Sequence, residues 1–174
     1  MKAALAILDD VCSTYSVNRN RVYVTGLSMG GFGTWDALSR HSELFAAGMP
    51  LCGGGDPSYA EVLAKIPIRI FHDRNDGTVP AQGSSQMSKA IKSASDPDNL
   101  LTSFTIMTGY GHGIWDAVYS DRENIDWLFS INVDLEPVVE TRTPETKPAG
   151  TTARFMPMSG FFWAGRLSRM ITAK

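Results

Sequence analysis

The sequence predicts an α/β protein, a parallel sheet of about four strands with flanking helices. Two observations carry that expectation. Four short runs rich in β-branched and apolar residues occur along the chain, and the stretches between them place apolar residues at helical spacing. Strands that alternate with helices in this way imply parallel pairing through right-handed crossovers.

Leu5, Leu8, Val11 and Cys12 recur at helical spacing, so residues 2–15 should form an amphipathic helix. Asn18, Arg19 and Asn20 break it. Residues 21–25 (Arg-Val-Tyr-Val-Thr) read as the first strand, ending at Gly26. From Gly30 to Ser39 the pattern is helical, with Phe32, Trp35, Ala37 and Leu38 as its apolar surface. Residues 44–51 look like a second, buried strand, followed by a turn over 52–57 that contains three consecutive glycines. A short helix near 59–64 leads into the third strand at 66–71. After a loop to Pro80, Met87, Ala90 and Ile91 share one face of a helix over 81–94. Residues 101–106 form the fourth strand and 108–113 the loop beyond it. Two helical stretches follow, one with Trp115, Val118 and Tyr119, the other with Ile125, Leu128 and Phe129.

Past Val133 the composition shifts toward Pro, Thr and Glu, so residues 1–133 are expected to be the folded part and 134–174 a flexible tail. Residues 155–174 are apolar again, with Phe161, Phe162 and Trp163 but also Arg166 and Arg169. Two readings of that segment stay open, a membrane-surface or partner-binding piece and an unstructured end.

With 174 residues, 43% hydrophobic and 20% charged, the chain is ordinary for one globular domain, though short for the fold named below. The net charge of -2 and the lack of a Lys/Arg cluster argue against a nucleic-acid partner. Cys12 and Cys52 cannot build a disulfide framework; they read better as two separate buried thiols than as a pair brought together by the fold. The apolar N-terminal run is too short for a signal peptide and ends in Asp9 and Asp10. No stretch approaches the roughly 18 apolar residues of a membrane span. Three histidines and two cysteines without ligand spacing leave neither a metal nor another cofactor expected.

The chemistry centres on Gly26-Leu27-Ser28-Met29-Gly30. A serine hydroxyl needs a base to take its proton and a geometry that exposes it. A sharp strand-to-helix turn supplies the exposure, and here the predicted strand ends just before Gly26 while the helix starts at Gly30. The helix directs its N-terminal N–H groups at the place where an oxyanion would form, with the Met29 backbone N–H as first donor. The pentapeptide arises by chance in roughly one chain of this length in twenty, so partners must decide. Asp76, beyond the third strand, is the candidate acid, and His112, between Gly111 and Gly113, the candidate base. Asp73 is the rival carboxylate and reads better as a solvated loop residue. His41 reads as a surface residue, and His72 as packing under the acid loop. Cys52 is an alternative nucleophile with nothing nearby in sequence to lower its pKa.

Residues 21–31, with Gly33, Thr34 and Trp35, resemble the nucleophile elbow of esterases and peptidase-like hydrolases related to prolyl oligopeptidase and dienelactone hydrolase. Phe71 and His72 through Val79 and Pro80 resemble their acid loop, and Gly111 and His112 with Trp115 their histidine loop. The resemblance spans residues 1–130 and implies an α/β-hydrolase fold with a Ser28, Asp76, His112 triad. Position 73 departs from it, since the family usually carries Gly after the strand-end histidine. Members also place several strands before the nucleophile strand, and a loop there supplies a second oxyanion N–H. The chain holds no His-Gly-Gly segment, so it resembles the C-terminal half of such a domain. Losing one oxyanion donor costs about 10²–10³-fold in rate. An uncovered first strand would also expose an edge open to self-association.

The expected function is therefore a serine carboxylesterase acting on small ester substrates. The alternatives are a related serine peptidase and a truncated non-catalytic domain acting by binding or assembly.

Overall fold

Four parallel strands line up in sequence order, β1 (Tyr23–Leu27), β2 (Ala47–Leu51), β3 (Ile68–Asp73) and β4 (Thr102–Met107). The computed structural model describes residues 1–133. The expected tail at 134–174, with both readings of its apolar end, lies outside the described residues. The helices are α1 (Lys2–Thr14), α2 (Met29–Arg40), α3 (Ala60–Leu63), α4 (Gln82–Ala94), α5 (Trp115–Ser120) and α6 (Arg122–Ser130). Among the described residues no helix is long and apolar enough to cross a membrane.

The core lies on both sides of the sheet. Trp35 and Leu38 of α2, Leu63 of α3, and Met87 and Ile91 of α4 pack on Ile68 and Ile70, with Leu8 of α1 at the margin. On the other face Ala47, Met49, Leu51 and Phe71 meet Ile114, Val118 and Leu128. The alternation of Ile68, Ile70 against Phe71 follows from the two-residue period of a strand. Arg69, on the same face as Phe71, reaches Asn124 at 3.3 Å and lies 4.7 Å from the Trp127 ring centroid. The end of α6 is tied to the start of β1. There Arg21 donates to the Phe129 carbonyl and the Tyr23 hydroxyl to the Ile131 carbonyl, each at 2.6 Å.

Strand ends moved where pairing decided them. β3 starts at Ile68, because Ile66 still donates to Leu63 and Pro67 has no N–H to give a ladder. It runs on through His72 and Asp73, which pair with Ile106 and Met107. β2 is shorter than expected, since residues Ser42–Leu44 wind into a 3₁₀ turn. The face of α2 is also narrower than its sequence implies: Trp35, Ala37 and Leu38 are buried, whereas Phe32 is exposed near the helix start. The two cysteines are separate and free, but only Cys52 is buried; Cys12 is half-buried on α1.

Glycines set how closely β1, α2 and the end of β2 approach. A Cβ on Gly26 would strike the backbone of Gly30, and one on Gly31 would strike the Leu51 carbonyl oxygen. A Cβ on Gly30 meets nothing within 4 Å. Gly31→Ala should therefore lower stability by more than about 2 kcal/mol, because backbone rather than a flexible side chain must give way. Gly30→Ala should be neutral or stabilising by up to about 1 kcal/mol. Urea unfolding midpoints of the two variants check the contrast.

Candidate active site

Ser28 occupies the single residue between β1 and α2, with φ 54° and ψ -118°. Positive φ is unfavourable for a side chain with a Cβ and costs about 1–3 kcal/mol, so the surroundings must impose it. They do so from both directions. The Ser28 N–H donates to the Leu51 carbonyl at 3.0 Å, extending the β1–β2 ladder by one bond, and its carbonyl accepts from Phe32 N at 3.1 Å as the first turn of α2. Met29, the first residue of α2, has its side chain in solvent. Its N–H belongs to the helix N-terminal groups that lack an intrahelical acceptor and carry the positive end of the dipole.

His112 sits on the loop between β4 and α5, whose Gly109 and Gly111 adopt φ of 91° and 57°. Those two turns bring its ring over the elbow. Nε2 lies 2.9 Å from Ser28 Oγ, and Nδ1 lies 2.7 Å from Asp76 Oδ2. A carboxylate only accepts, so the ring proton is on Nδ1 and Nε2 faces the serine hydroxyl as an acceptor. Trp115 holds the ring edge-to-face, with centroids 5.8 Å apart.

Asp76 is buried on the loop after β3. Its Oδ1 accepts from Thr78 N at 2.8 Å and Val79 N at 2.9 Å, which leaves Oδ2 for histidine. Burial alone would raise its pKa and is the largest single influence. The hydrogen bonds from His112, Val79 and Thr78 together with the charge interaction with His112 outweigh it, bringing the carboxyl down to about 2. The carboxylate stays ionised at any ordinary pH.

The three residues singled out in the sequence thus converge, and Asp73, His72 and Cys52 lie beside them. Asp73 is not a solvated loop residue. It is fully buried at the end of β3, where Oδ1 accepts from Asn75 N at 2.7 Å and Oδ2 from Tyr110 N at 2.9 Å. The carboxylate in the place of the family's usual glycine therefore staples the histidine loop to the strand that leads to the acid. An aspartate two residues before an asparagine N–H is a readable turn signal, but the bond to Tyr110 is tertiary. His72, placed under the acid loop by the sequence, is fully buried there. His41 is half-buried, 3.9 Å from Glu43.

Cys52 follows β2 in a left-handed conformation, φ 48°, with Sγ 3.7 Å from the His112 carbonyl oxygen. Burial, then the charge and hydrogen bonding of Asp76, push its thiol up to about 12. It is protonated and unsuited to attack. Cys52, Asp76 and His112 place a sulfur, an oxygen and a nitrogen within 4.8 Å of one another. Metal ligation there would need a thiolate and a free ring nitrogen, whereas His112 and Asp76 are committed to each other.

A parallel sheet whose first strand turns sharply at a serine into a helix, with a carboxylate and a histidine on later loops, defines the α/β-hydrolase fold. The model for the prolyl oligopeptidase family matches residues 2–111, and the chain belongs to that family. It is similar to a thermostable esterase of known structure, with 36% identity and a TM-score of 0.71 over 75% of this chain and 36% of that one. A bifunctional acetylxylan esterase/xylanase, XynS20E of Neocallimastix patriciarum, is 32% identical over 76 residues, 44% of this chain and 11% of that protein. The acylaminoacyl peptidase of Pyrococcus horikoshii shares the fold, with 20% identity and a TM-score of 0.55 over 64% of this chain and 23% of its own. The chain spans about a third of the esterase's length and about a tenth of that of XynS20E. Its kinship is with esterases and peptidases.

The Asp76 pKa fixes a pH dependence of stability. A carboxyl held at about 2 in the folded chain, against an ordinary 3.8, contributes its stabilisation in full above pH 4 and loses it as the pH falls through 2. The contribution is about 2 kcal/mol. Asp76→Asn should be less stable at neutral pH by that order and should show a shallower decline between pH 4 and 2, read from urea midpoints across that range.

Proposed function

We propose that the chain is a serine carboxylesterase acting on small esters through Ser28, His112 and Asp76. The observation that carries this reading is the unbroken line from Ser28 Oγ to His112 Nε2 at 2.9 Å and from His112 Nδ1 to Asp76 Oδ2 at 2.7 Å. It ends at a serine already held in its strained, outward conformation. Ser28 attacks the ester carbonyl while His112 takes its proton, and the ionised Asp76 stabilises the imidazolium. The Met29 N–H, with the dipole of α2 behind it, receives the developing oxyanion. His112 returns the proton to the leaving alcohol, then activates the water that hydrolyses the acyl-enzyme. The protonated Cys52 thiol takes no part in attack.

Ester preference is supported by the 36% identity to a thermostable esterase. The family's description as prolyl oligopeptidase supports peptidase action as the second reading. Comparing p-nitrophenyl acetate with aminoacyl p-nitroanilides separates the two, and faster anilide turnover would sink the carboxylesterase assignment.

Ser28→Ala should reduce p-nitrophenyl acetate turnover at least about 10³-fold and abolish labelling by a fluorophosphonate. A wild-type chain that neither labels nor turns over would place it among the non-catalytic domains. Asp76→Ala should cost about 10³–10⁴-fold in kcat. Asp73→Ala should cost nearer tenfold, since it loosens the histidine loop without touching the ring; steady-state kinetics of the pair would reveal a wrong choice of acid by reversing that order.

A further inference from the structure

His72 is a second histidine against Asp76, approaching the same Oδ2 as His112, and the proposed mechanism does not use it. Its side chain is fully buried in β3. Nε2 lies 2.9 Å from the Val79 carbonyl oxygen and 3.3 Å from Asp76 Oδ2. Nδ1 lies 2.8 Å from Ser84 Oγ on α4, and that same Oγ lies 2.8 Å from the Gly53 carbonyl oxygen.

Counting protons along this line leaves one arrangement in which every contact is a hydrogen bond. A carbonyl oxygen only accepts, so Nε2 must carry the proton shared with Val79. Ser84 has one hydroxyl proton, and the Gly53 carbonyl requires it. Ser84 Oγ then meets Nδ1 as an acceptor, so Nδ1 carries a proton too. We propose that His72 is a buried imidazolium and the positioning residue for Asp76, which rests on the triad reading above.

A buried cation is tolerated only when its donors are satisfied and a counter-charge is close. Both conditions hold here. The two N–H groups have acceptors, and the Asp76 carboxylate stands 3.3 Å away. From α4 the ring meets Ser84, from the acid loop Val79 and Asp76, and its register partner across the sheet is Ile106. The remaining titratable groups of the cluster are engaged elsewhere. Asp73 takes the N–H groups of Asn75 and Tyr110, Cys52 lies against the His112 carbonyl, and His112 bonds Asp76 Oδ2 through Nδ1 and faces Ser28 through Nε2.

Two consequences follow for the site. Mechanically, the line from Val79 through His72 and Ser84 to Gly53 couples the acid loop to the elbow, because a Cβ on Gly53 would come within 2.6 Å of the Gly31 carbonyl carbon. Electrostatically, Asp76 is shared by two histidines, so the cation at His72 weakens the negative potential that Asp76 presents to His112.

The test has two parts. Protein labelled with [¹⁵N]histidine contains three histidines. The signals missing in His41→Gln and in His112→Gln identify those two, and the remaining one is His72. Two protonated ring nitrogens at pH 7.5 are expected for His72; a single protonated nitrogen would overturn the proposal, whether or not the chain turns over esters. His72→Gln keeps an N–H for Val79 and removes the charge. Its kcat/KM profile should have the acid limb displaced upward by roughly one pH unit. A purely structural role would lower stability and leave the limb in place, and an unmoved limb in the folded variant would overturn the coupling to Asp76.

Discussion

The Leu51 carbonyl oxygen is the constraint on which the site depends. It accepts the Ser28 N–H at 3.0 Å and lies where only a glycine at position 31 can pass. One acceptor at the end of β2 thereby sets the elbow's position relative to the sheet and the direction in which α2 leaves it. The positive φ of Ser28 is the local cost, of about 1–3 kcal/mol. The parallel register of β1 on β2, with Leu27 opposite Leu51, holds the turn in that state. Loosening either strand would let the serine relax into an ordinary turn and swing its hydroxyl away from His112.

Electrostatics are organised around a second buried point, the Asp76 carboxylate. Backbone N–H groups take one of its oxygens and histidines approach the other, so its position and its charge are set by different partners. Burial first, and then the same charge that supports His112, keep the neighbouring Cys52 thiol protonated. A cysteine less than 5 Å from Asp76 and His112 is thus held as the unreactive thiol. Asp73 acts through backbone alone, fixing the loop that carries His112.

Membership in the prolyl oligopeptidase family rests on residues 2–111, which contain the elbow and the acid loop. Relatives with this arrangement extend well beyond the span matched here. The described part nevertheless brings the Ser28, His112 and Asp76 side chains together at the C-terminal ends of the parallel strands, where open α/β sheets place their sites.

Ser28, Asp76 and His112 were legible because each belongs to a local pattern: glycines around a serine between strand and helix, a carboxylate in a turn after a strand, a histidine between glycines. The order of strands and helices was legible for the same reason, since apolar periodicity is a property of neighbouring residues. The position of His72 under the acid loop was legible too, but its partners, and those of Asp73 and Cys52, were not, because they lie 12 to 60 residues away in the chain, at Ser84, Tyr110 and His112. Pairing with β4 carried β3 two residues further than its own sequence indicates and buried His72 and Asp73 with it. Local chemistry singled out the candidate residues by itself; tertiary pairing alone decided which charges surround them, because a buried charge is defined by its neighbours in space.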